Sequence, residues 1–158
     1  MLNNLYFRYA LYFLIAVVLQ ATLVNYLRIF SWTPDLVLIL LVVFALRVGP
    51  NQGMTAGFLV GLLQDSISTH FLGLGALSKT VAGALAGMLK GRFSPRTEFF
   101  LTLLIAGLVH DFVYFLLYTL GENFSFQSLI FLYTIPNVMY TVLIGGFLYY
   151  LIETWEYD

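Results

Sequence analysis

Six apolar stretches alternate along the chain with short runs of polar and turn-forming residues. The first runs over about residues 9–26 and gives way to "LRIFSWTPD". The second opens at Pro34, a favoured residue in the first turn of a helix, and extends over about residues 34–48. "RVGPNQG" is a tight turn into a third stretch, about 51–66, and "SISTHFLG" leads to a fourth, about 72–89. The basic loop "KGRFSPRTE" precedes a fifth, about 98–120, and "GENFSFQ" a sixth, about 127–152, before the acidic end "ETWEYD". The pattern predicts an all-α integral membrane protein, a six-transmembrane helical bundle forming a single domain over residues 1–158. Stretches two and three fall short of the roughly 20 residues that cross a bilayer core. Five spans plus a re-entrant pair is the alternative.

Composition sharpens this reading. The chain is 61% hydrophobic and 9% charged, against about 25% charged in soluble domains. Lipid, rather than water, must solvate most of its surface. A net charge of −1 gives no bias toward nucleic acid, and the absence of cysteine excludes disulfides, thiolate metal sites and a cysteine nucleophile. The N-terminal stretch has a lone Arg8, a long apolar run and no clear small-x-small cleavage site, so a retained first span is expected rather than a secretion signal. Arg8, Arg47, Lys90, Arg92 and Arg96 would fall on one side, Arg28 alone on the other, with Lys79 inside span four. The positive-inside rule then places both termini in the cytoplasm.

"NQGMTAGFLVGLLQD" spaces Gly53, Gly57, Gly61 and Asp65 by four residues, and "GALSKTVAGALAGMLKG" does the same with Gly75, Lys79, Gly83, Gly87 and Gly91. Small residues at this spacing let helices approach closely in a bilayer, where packing and hydrogen bonds replace the hydrophobic drive. Folding the chain near Leu72 pairs Asp65 with Lys79, Gly61 with Gly83, Gly57 with Gly87 and Gly53 with Gly91. An i, i+4 stripe drifts about 40° per step, so the contact should be a crossing. Asp65 and Lys79 would form a structural ion pair with Lys79 partly snorkelling outward, or contact a ligand or partner, or simply reach water. Either stripe could instead pack against a different span.

Other polar residues occupy apolar stretches. His110 and Asp111 are adjacent, so their side chains leave the helix about 100° apart and make no ready-made pair. His110 shares its face with Ala106, Tyr114 and Tyr118; Asn137 shares one with Tyr133 and Tyr140, beside a kink expected at Pro136. Lys79, His110, Asp111 and Asn137 all count to the half of the bundle away from the basic loops. They suit one outward-opening polar cavity, or interhelical hydrogen bonds worth about 0.6 kcal/mol each. Gln20 and Gln64 complete the set. Ser66, Ser68 and His70 in "SISTH" lack a supporting arrangement, there is no HExxH spacing, and no loop cradles phosphate, so no enzyme, metal site or cofactor is expected.

The segments "TPDLVLILLVVFALRVGPNQGMTAGFLVGLLQD" and "FLGLGALSKTVAGALAGMLKGR" resemble the bacterial rod shape-determining MreD family. The pattern is a Pro-Asp opening a short span, G-x-x-x-G-L-x-x-D, then G-L-x-A-L and a glycine-rich span. Its positions here are Pro34 and Asp35; Gly57, Gly61 and Asp65; and Gly73, Gly75 and Leu77. The resemblance implies a multi-pass component of the inner-membrane elongation machinery, a non-catalytic scaffold for lateral wall peptidoglycan synthesis. It implies binding to MreC through that partner's transmembrane segment, and an indirect link to MreB, a SEDS glycosyltransferase and a class B penicillin-binding protein. It also implies a likeness to the substrate-capture subunits of energy-coupling-factor transporters. A small-molecule capture subunit or transporter with an outward-facing polar pocket is therefore the alternative function.

Overall fold

The computed structural model describes residues 2–22, 26, 32–68, 72–119, 127 and 129–156; His70 and Arg28 lie outside these. The described residues form α1 (Leu2–Thr22), α2 (Leu36–Val48), α3 (Pro50–Ile67), α4 (Leu74–Met88), α5 (Pro95–Tyr118), a π-helical turn (Leu129–Thr134) and α6 (Ile135–Glu156). Among the described residues, three segments are long and apolar enough to cross a membrane: Leu5–Thr22, Pro95–Tyr118 and Ile130–Leu151. α2 and α4, with 13 and 15 residues, reach only about 20–22 Å against a hydrocarbon core of about 30 Å.

The short α2 is the hub. It is apolar almost all round ("LVLILLVVFALRV"), the signature of a helix buried on every side. Val37, Leu38, Leu41, Val42 and Ala45 are fully buried, and the helix touches every other helix of the bundle. Tyr6, Tyr9 and Phe13 of α1 surround Phe44 with ring centroids at 6.2, 4.9 and 5.8 Å. Phe99 of α5 stacks on Tyr149 of α6 at 4.8 Å. The long helices turn Phe7, Leu14, Val18, Phe131, Leu143 and Phe147 outward.

Gly49 alone separates α2 from α3. Its φ of +105° is open to glycine but strained for other residues. Its N–H donates to the Ala45 carbonyl at 2.8 Å, closing α2 as Pro50 opens α3. Near Pro136 the chain keeps a helical course but loosens into the π turn. Proline has no N–H for the carbonyl four residues back and its ring crowds it. That carbonyl, on Leu132, accepts the Trp32 indole N–H at 3.0 Å instead.

α3 and α4 form the most extensive contact in the molecule, an antiparallel pair with backbone against backbone. A Cβ on Gly53 would strike the Gly83 carbonyl, and one on Gly83 the Gly53 carbonyl. Gly57 lies on the backbone of Lys79 and Thr80, Gly61 on Gly75 and Ala76, and Gly87 on Gly49 and Pro50. The expected register is therefore corrected: α4 is slid by two turns, so that Gly53 faces Gly83 rather than Gly91. Gly91 lies outside the seam, past the end of α4, at φ +73° with open space around it. The cause lies at the top of α4. Asp65 accepts from Gly73 N and Ala76 N through Oδ2 (2.9 and 3.0 Å) and from Gly75 N through Oδ1 (3.1 Å). The first amides of a helix lack partners within it and carry partial positive charge. One carboxylate of α3 thus satisfies three of them and fixes the register.

Candidate functional site

With Asp65 committed to amides, Lys79 takes a different partner, which corrects the expected Asp65–Lys79 pair. Gly57 presses on the backbone of Lys79, and the side chain runs away from α3 toward α2 and α5. Its ammonium donates to Asp35 Oδ2 at 2.9 Å and to His110 Nε2 at 3.2 Å. Lys79 is 2% exposed, too buried to snorkel to water. An isolated charge at such depth costs several kcal/mol, so a paired carboxylate is a physical requirement.

Asp35 is positioned by helix capping. Pro34 and Asp35 precede the apolar run of α2, and Asp35 Oδ1 accepts from Leu38 N at 2.8 Å in the usual N-cap manner. This leaves Oδ2 for Lys79. The approach segment is gripped from both sides. Gln20 of α1 donates to the Pro34 carbonyl (3.0 Å) and accepts from Leu36 N (2.8 Å). From α6, Asn137 accepts from Thr33 N (3.2 Å) and Thr141 from Asp35 N (3.1 Å). Asn137 thus serves as a clamp on the chain before α2, and no bond joins it to Lys79 or His110.

His110 and Asp111 do pair, contrary to expectation: Nδ1 lies 2.9 Å from Asp111 Oδ1. The two Cβ atoms diverge, but both side chains carry a polar atom sideways at the second position beyond Cβ, and these close on one another. The protonation pattern follows from the donors. An ammonium has no acceptor. His110 Nε2 must therefore accept from Lys79, and Nδ1 carries the hydrogen donated to Asp111. The result is a relay, Asp35–Lys79–His110–Asp111, drawn from α2, α4 and α5. Asp35 faces the Lys79 ammonium, and Asp111 faces the neutral imidazole. The side chains of Asp35 and Asp111 are 16% and 13% exposed, so both ends of the relay are partly open while its middle is buried. Tyr114 stacks against His110 and Tyr118 against Tyr114, at 6.1 and 6.4 Å, extending the face along α5.

Of the polar residues singled out from sequence, the fold brings together Lys79, His110, Asp111 and Asp35. It leaves Asp65 in its own cap and Asn137 on the approach to α2. Thr141 and Trp32 escaped notice altogether, because a single threonine or tryptophan does not announce its hydrogen-bond partner in one sequence. The role of Asp35 was open to inference: a Pro-Asp pair before an apolar run reads as an N-cap.

A helical bundle whose described residues include three segments long and apolar enough to cross a bilayer, with large apolar residues on its perimeter, has transmembrane character. The chain belongs to the MreD family: the family model described as rod shape-determining protein MreD matches residues 2–155. No curated protein and no solved structure matches it. Membership places the chain among proteins of rod shape determination, in the shape-determining machinery.

Proposed function

We propose that the protein is a non-catalytic scaffold of the cell-elongation machinery, seated in the cytoplasmic membrane by six spans and holding MreC by its transmembrane segment. Through MreC it connects to MreB, a SEDS glycosyltransferase and a class B penicillin-binding protein. Family membership supports the setting. The observation that carries the scaffold reading is how the reactive side chains are spent. Lys79 and Asp35 hold each other, His110 is fixed between Lys79 and Asp111, and Asp65 is consumed by three amides. Such groups lock helices together, whereas general acid–base work asks for a group within reach of substrate. Both termini would be cytoplasmic. Lys90 of the α4–α5 connection donates to the carbonyl of Arg47, in the last turn of α2, at 2.6 Å, which brings these two basic residues to one end.

The test is co-purification from native membranes with MreC carrying or lacking its own transmembrane segment. The scaffold reading expects capture only with the segment present; equal capture without it would overturn the proposed mode of binding. A second reading, small-molecule capture, draws on the partial exposure of Asp35 and Asp111. It expects co-purification of an ATPase module and ligand-dependent thermal stabilisation.

A further inference from the structure

One member of the relay reverses its hydrogen-bonding role when it gains a proton. His110 is surrounded by groups from three helices. From α4 the Lys79 ammonium donates to Nε2 at 3.2 Å, and from α2 Asp35 Oδ2 lies 3.9 Å from the same nitrogen. On α5 itself, Asp111 Oδ1 takes the Nδ1 hydrogen at 2.9 Å and Tyr114 stacks on the ring. α6 and the π turn bring no charge. Residues 129–152 contain no ionisable side chain except tyrosine, and Tyr133, the one nearest this part of α5, packs on Phe115.

Nε2 accepts from Lys79 through its lone pair, and an ammonium has no lone pair to offer in return. A proton taken from water onto Nε2 uses up that lone pair. The new N–H then faces the ammonium at 3.2 Å, two donors and two like charges with no acceptor between them. The acceptor within reach is Asp35 Oδ2, and a movement of about 1 Å brings it to bonding distance. A carboxylate oxygen has two lone pairs, so Asp35 can take this bond and keep Lys79. Nδ1 goes on donating to Asp111 in either state. The Lys79 backbone is held against Gly57, so the adjustment falls on its side chain and on α5. We propose that His110 is a proton-operated coupling: neutral, it ties α5 to α4 through Lys79; charged, it releases α4 and ties α5 to α2 through Asp35. The relay is then a lock with two positions. The coupling requires neither MreC nor the scaffold reading.

Solid-state NMR of the full chain in lipid bilayers, isotopically labelled in histidine, lysine and aspartate, reads both positions directly. The chain has two histidines, so His70→Gln leaves the His110 ring as the single imidazole. Should that variant fail to fold, the contact of Nδ1 with Asp111 identifies the ring in the unaltered chain. The titration runs from about pH 8 to about pH 5, the range in which histidine is the side chain that ordinarily changes charge. At the alkaline end the ring should carry its hydrogen on Nδ1, with Nε2 in through-space contact with the Lys79 side chain. At the acid end both ring nitrogens should carry hydrogen, the Lys79 contact should weaken at least threefold, and a contact from Nε2 to the Asp35 carboxylate should replace it. A ring that stays neutral throughout overturns the proposal. So does a neutral ring with its hydrogen on Nε2, or a Lys79 contact that survives protonation undiminished.

Discussion

The α3–α4 seam and the Asp35–Lys79–His110–Asp111 relay share α4 and solve the same problem in opposite ways. Both must hold helices together where water cannot help. The seam uses the absence of side chains: glycine on glycine lets main chains touch, and dispersion over the whole interface does the binding. The relay uses the most expensive side chains available, each acceptable only because a specific partner is in place. The seam is thus intolerant of added volume and the relay of lost partners. Lys79 joins the two: its carbonyl abuts Gly57, while its ammonium reaches Asp35. Displacement of α4 along α3 would therefore uncouple the ion pair as well.

The sharpest test of this contrast adds bulk to the seam. Gly57→Leu and Gly83→Leu place side chains where backbone carbonyls already lie, and should abolish folded protein and assembly in detergent extracts, read by size-exclusion chromatography. Normal assembly by both would remove the packing argument. Next in size is Lys79→Met, which strands Asp35 without its cation and should cost about 3–5 kcal/mol in thermal or denaturant unfolding. Adding Asp35→Asn, which keeps the N-cap oxygen, should recover a large part of that loss, as coupled partners do.

Asp65→Asn retains only one accepting oxygen for three amides and should cost about 1–3 kcal/mol. Because Asp65 and Lys79 have separate partners, combining Asp65→Asn with Lys79→Met should be additive within about 0.5 kcal/mol; strong coupling would restore the pair that the sequence suggested. The smallest effect belongs to Gly91→Ala. Only its positive φ opposes the change, so a loss of about 1 kcal/mol is expected, far below that of its seam counterparts.

The helices and their seam were legible because they depend on local periodicity. Glycines every four residues on two consecutive apolar stretches mark a close helix pair wherever they occur. The register was not, since the spacing repeats every turn and admits several alignments differing by whole turns. What breaks that degeneracy is Asp65 reaching the α4 amides, a choice between backbone and side-chain donors that residue spacing does not rank. The His110–Asp111 bond was missed for a related reason: helical geometry describes where Cβ atoms point, not where a ring nitrogen ends.

By itself the sequence determined the helical class, the lipid-facing composition, the small-residue stripes and, by its family motifs, a place in rod shape determination. The tertiary structure decided who pairs with whom. Asp35 and Lys79 are 44 positions apart, and Trp32 is 100 from the Leu132 carbonyl it occupies. Local preferences act over a turn or two. The partners of a buried charge are set by which helices pack beside it, and that is a property of the whole bundle.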